Sequence, residues 1–165
     1  MKRLAVVLIL FVALAGVGKP SAAGPIPGAC DVLEAIDMAG TLGADAAYVP
    51  GPANENKYVR MSLCSAETPD LAARMTLMVR ENLAAKVPDA TTLRAQAIDE
   101  LRTTIGAAAV IEEIDLGDAA MWAGDISQLT VWHRAGRVMF IFSPTPNQDR
   151  AAAENAAKKV LGAFP

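Results

Sequence analysis

The stretch QLTVWHRAGRVMFIFS, Gln128–Ser143, decides the fold. Two apolar runs flank Arg134-Ala135-Gly136-Arg137, the pattern of a β-hairpin closed by a tight glycine turn. A two-residue turn at Ala135-Gly136 pairs His133 with Val138, Val131 with Phe140 and Leu129 with Phe142. One face of the hairpin then carries Leu129, Val131, Val138, Phe140 and Phe142 and reads as core. The other carries Thr130, Trp132, Met139 and Ile141, with Arg134 and Arg137 at the tip. Left open, this second face is an apolar patch with a basic rim, a combination that marks binding. Covered by a helix, it is core.

Outward from the hairpin, apolar spacing assigns the neighbours. Pro144 and Pro146 end the second strand, and residues 148–164 have the period of a helix, with Ala152, Ala156, Val160 and Leu161 inward. Before the hairpin, LGDAAMWAG (Leu116–Gly124) reads as a glycine turn leading into a strand. Val110, Ile111, Ile114 and Leu116 form another strand, with Glu112, Glu113 and Asp115 as solvated edge acids. Pro88-Asp89 opens the longest helix, a ladder of Leu93, Ala97, Leu101 and Ile105 widened by Ile98 and stopped by Gly106. Residues 58–65 and 74–80 alternate with period two and read as strands. Ala46–Val49 is a short strand that Pro50-Gly51-Pro52 should end. Near the start, Val32, Leu33, Ile36, Ala39 and Leu42 give a helix capped by Asp31 and stopped by Gly43, with Asp37 splitting it. The order of helices and hairpin-joined strands predicts an α+β two-layer sandwich, an antiparallel sheet with helices packed on one face.

Lys2 and Arg3, the apolar run Leu4–Val17 and the small residues Ser21-Ala22-Ala23 have the three parts of a secretory signal peptide. The run is shorter than the ~20 residues of a spanning helix. Pro27-Gly28-Ala29 before Cys30 does not suit lipid attachment. Cleavage after Ala23 would leave one domain, residues 24–165, with no stable membrane anchor. Removing Lys2, Arg3 and Lys19 takes the net charge from −3 to −6. An acidic chain without a basic run speaks against nucleic acid and anionic lipid surfaces as partners.

Cys30 and Cys64 are the two cysteines. In an exported chain they read as a structural disulfide, worth roughly 3.5–4 kcal/mol by loop closure. The competing readings are a redox pair, which usually lies in C-x-x-C, and a thiolate metal site, which needs more ligands than His133, the one histidine, can supply. No metalloprotease, nucleotide-binding or nucleophile-elbow pattern occurs, so no cofactor is expected. Met61, Met75, Met78, Met121 and Met139 raise copper as an idea, but core filling explains them better.

Ala29-Cys30 with Val32-Leu33, then Leu42-Gly43, a strand carrying the second cysteine, a long helix, Leu116–Trp122, and a hairpin on Arg-x-Gly form a recognisable series. It resembles small secreted proteins and lipoproteins of the bacterial cell envelope with a C-x-L-L…LG…C…LGDxAxW…hairpin layout, mostly described as domains of unknown function. The resemblance spans nearly all of the chain after the leader. The chain departs from that layout in lacking a lipobox and the aromatic after the second cysteine, where it has Ser65-Ala66. The resemblance implies a turn at Gly117-Asp118 and a packing role for Trp122. The expected function is a non-enzymatic, periplasmic or secreted binding protein for a small ligand or protein. Trp132, Arg134, Arg137 and Met139 form its surface, and His133 lies at the edge. Two alternatives stand beside it: an inhibitor or immunity-type protein that plugs a partner enzyme with the hairpin tip, and a small hydrolase or metal protein centred on His133.

Overall fold

In the computed structural model, residues 24–42, 46–146 and 149–165 are described. The leader-like segment 1–23, Gly43 and Gln148 lie outside them. Seven strands form one antiparallel sheet: β1 (Ala47–Glu55), β2 (Val59–Glu67), β3 (Arg74–Asn82), β4 (Ile111–Ile114), β5 (Ala119–Ala123), β6 (Gln128–His133) and β7 (Val138–Thr145), in the order β1-β2-β3-β7-β6-β5-β4. Helices α1 (Ala29–Ala35), α2 (Met38–Leu42), α3 (Ala90–Ile105) and α4 (Arg150–Ala163) complete it. The α+β class and the antiparallel sheet are those the sequence predicts.

The hairpin sits at the centre with the expected register: Leu129 opposite Phe142, Val131 opposite Phe140 and His133 opposite Val138. The Arg137 N–H closes the turn on the Arg134 carbonyl, with Ala135 and Gly136 both at positive φ. Such turns match the right-handed twist of the paired strands. The turn is clamped from outside by Asp118, whose Oδ2 accepts from the Ala135 N–H at 2.6 Å. Gly117 precedes it at φ +58°, where a Cβ would stand 2.6 Å from the Trp132 carbonyl oxygen. Only glycine allows that approach. The LGDAAMW stretch is thus a turn docked against the hairpin, followed by a strand whose five residues are all buried.

The helices divide between the two sheet faces, which corrects the expectation of a single covered face. The reason is the hairpin itself, which has apolar side chains on both sides. On one face, Val32 and Leu33 of α1 and Ala153, Ala156, Ala157 and Val160 of α4 pack on Leu77, Phe140, Phe142, Leu129, Val131 and Trp122. The Cys30–Cys64 disulfide ties α1 to β2 on this face, as expected. On the other face, Ala90, Leu93, Ala97, Ile98 and Leu101 of α3 cover Ala119, Met121 and Trp132. Ile105, predicted to continue this ladder, is exposed.

Three local expectations also change. β1 does not end at Pro50 but runs to Glu55 with a register shift between Pro50 and Ala53. It is an edge strand, where proline's missing N–H and a bulge are tolerated. The first helix starts at Ala29 behind Gly28, ahead of Asp31, and Asp37 at φ +52° does split it from α2. The acids of β4 are not a merely solvated edge. Glu112 reaches Arg150 of α4 at 2.7 Å on one face, and Glu113 reaches Arg94 of α3 at 2.6 Å on the other. Alternation along the strand aims consecutive carboxylates at opposite layers.

Candidate functional site

The second face of the sheet is only partly covered. α3 lies over β5 and β6, while β7, β3 and β2 continue beyond it. Cross-strand register places Met61, Arg80, Met139, Trp132 and Ala119 in one row and Leu63, Met78, Ile141, Thr130 and Met121 in the next. Met61, Leu63, Met78, Met139 and Ile141 are half-buried rather than buried, and of these Met139 packs against the α3 cluster.

Between α3 and this face runs a cleft of about 460 Å³. Its floor is Trp132, Met139, Ile141 and Thr130, and its roof is Leu93, Ala97 and Leu101. Gln96, Glu100 and Thr104 of α3 stand along the rim, and Arg80 and Arg137 enter from the sheet side. A second hollow of about 370 Å³ adjoins it over β2 and β3, lined by Asn54, Asn56, Val59, Met61 and Met78. The two share Arg80, Met139 and Ile141, so they form one trough. Each volume falls within the ~300–1,000 Å³ of small-molecule sites.

The roof is held at its start and along one side. Asp89 caps α3, accepting from the Thr92 N–H at 2.9 Å and from its hydroxyl at 2.7 Å. The Thr92 N–H, followed by the hydroxyl, holds the Asp89 carboxyl below its ordinary value. The hairpin tip tucks under this first turn: a Cβ on Gly136 would stand 2.8 Å from the Pro88 carbonyl and 2.9 Å from Leu93 Cδ1. The Arg94–Glu113 pair holds the side toward β4.

Of the five residues predicted for binding, three meet here. Trp132 is 3 % exposed and forms floor beneath α3, so it is not the open surface that one reading of the sequence gave it. Met139 lies beside it. Arg137 stands at the hairpin end, its Nη1 donating to the carbonyls of Asn82 (3.0 Å) and Ala84 (3.1 Å). The other two lie apart. The Arg134 guanidinium donates to the carbonyls of Gly24 and Pro165. His133 lies on the α4 side, its Nε2 2.9 Å from the Phe164 carbonyl oxygen. Both join the sheet to segments that flank it.

Arg80, Met78 and the α3 rim were missed. The signal was present: the strand Arg74–Arg80 places Thr76, Met78 and Arg80 opposite its core residues. A methionine in the middle of a face otherwise polar marks a surface that is not simply solvated. No protein-family model, curated protein or solved structure matches the chain.

Proposed function

We propose that this chain is an exported, non-enzymatic binding protein of the bacterial cell envelope that holds a small amphipathic molecule in the cleft beneath α3. The observation that carries this reading is the cleft itself: an aromatic and thioether floor, an apolar helical roof, and guanidinium groups at one end. Sites of this kind bury an apolar body and fix its orientation with a few polar contacts. The Cys30–Cys64 bond supports a periplasmic or secreted location, because disulfides persist in oxidising compartments. Among the described residues no helix is long and apolar enough to cross a membrane.

The hairpin-tip inhibitor draws less support. Arg134 is engaged by carbonyls of the chain itself, Arg137 lines the cleft with only its Nη1 held by backbone carbonyls, and Gly136 is buried against Pro88 rather than offered to a partner. A His133-centred site draws less still, since the ring is tied to Phe164. The direct test is native mass spectrometry of the protein exported by its own host. A non-covalent small-molecule adduct is expected, and Gln96→Trp, which plugs the rim, should remove it. An adduct that survives the plug would place the ligand elsewhere.

A further inference from the structure

Resting on that reading of the cleft, we propose that its ligand is an amphiphile with one acyl chain and an anionic head group. The head would sit between Arg80 and Arg137, with the chain along Met139, Ile141 and Met78 under the edge of α3.

Charge is the first support. The chain is acidic overall, at −3. Arg60, Arg74, Arg94 and Arg150 all pair with glutamates. Arg80 and Arg137 have no carboxylate within ion-pair distance among the described residues, and both face the same trough. The one carboxylate lining the cleft, Glu100, stands on the opposite wall, on α3. Guanidinium groups bind carboxylate and phosphate oxygens through paired N–H donors. Two of them against one acid select an anion over a cation.

The arrangement along the trough is the second support. Arg137 adjoins the hairpin turn, and Arg80 lies in the same cross-strand row as Met139. Farther from the turn the facing pairs become apolar, Met78 with Ile141. The first turn of α3 lies at the hairpin end, because Gly136 touches Pro88 and Leu93. From there Ala97 and Leu101 extend over the apolar part. A cationic end followed by an apolar track matches a molecule with its charge at one end. Thioether side chains, flexible and polarisable, fit acyl chains of differing length. The track opens into the hollow over β2, which leaves room for the chain to run beyond α3.

Calorimetric titration of the full exported protein tests this, using dodecanoate, dodecyl phosphate, dodecanol and dodecylammonium below their micelle concentrations. The two anions should bind at least about tenfold more tightly than the alcohol, and the cation most weakly. The ratio of carboxylate to phosphate affinity identifies the preferred head. Arg80→Gln should lower the affinity for both anions to about that for dodecanol, and Arg80→Lys should keep part of the preference. Equal binding of all four, unaffected by Arg80→Gln, would overturn the anionic head yet leave the cleft a binding site. Binding of none would overturn both.

Discussion

The two faces of the central hairpin are built from the same two strands, yet they come to different ends. On one face two helices and a disulfide cover the sheet, and Phe140, Phe142, Leu129 and Val131 are sealed. On the other, a single helix covers β5 and β6, reaches β7 only at Met139 and leaves the β3 face uncovered. The sealed face has small helical residues, Ala153, Ala156 and Ala157, that let α4 approach closely. The half-covered face meets a helix pinned at its start, by Gly136, and at its side, by Glu113. Stability resides on the first face, and space for a ligand on the second.

A matched pair of substitutions would break or sharpen this contrast. Trp122 faces the sealed side and Trp132 the cleft, and both are nearly buried. Trp122→Ala should cost about 3–5 kcal/mol in urea unfolding. Trp132→Ala should cost a similar amount, about 3–5 kcal/mol, because it is as buried as Trp122, but it alone should also lower ligand affinity. Equal loss of affinity in both variants would mean that the two faces are not separate. Next in size is the disulfide, which belongs to the sealed face alone. Reduction should lower stability by roughly 3–4 kcal/mol or less, while the folded, reduced protein keeps its ligand affinity. A reduced protein that stays folded but loses the ligand would couple the two faces.

The smallest effect concerns the roof. The Asp89 carboxyl is held below its ordinary value of 3.8 by the Thr92 N–H and hydroxyl. A carboxyl lowered by folding stabilises the folded state above its unfolded-state value, and that contribution is lost as pH falls through the folded one. Amide exchange in the first turn of α3 should therefore accelerate selectively below about pH 4, relative to α1, whose N-cap Gly28 makes no side-chain bond. A parallel change in both helices would assign the effect to general acid unfolding.

Much of this was legible in the sequence, and the failures have physical causes. The hairpin register followed from two period-two runs around a turn that needs positive φ. The cysteine pair and the break at Asp37 were equally readable. Ala46–Val49 and LGDAAMWAG both read as short strand segments, yet Ala47–Val49 lies in an exposed edge strand and Ala119–Ala123 in a buried inner one. Strand position in a sheet depends on non-local pairing, which a local motif does not encode. The same limit hid the cleft. Whether a helix covers Trp132 depends on where a distant turn, Pro88–Leu93, meets Gly136. Arg134 and His133 looked like a binding rim because they adjoin a turn, but their partners, Gly24, Phe164 and Pro165, lie more than 30 residues away.

The central claim is that the half-covered face, and not the sealed one, receives the ligand. Its most direct test is paramagnetic broadening of backbone amide signals by a dodecanoate analogue carrying a nitroxide on its chain. Signals of Met78, Arg80, Met139, Ile141 and Leu101 should broaden at low ligand ratios and recover on adding unlabelled dodecanoate. Those of Leu33, Ala156 and Val160 should not change. Broadening centred on α1 and α4, or spread evenly over both faces, would contradict the account.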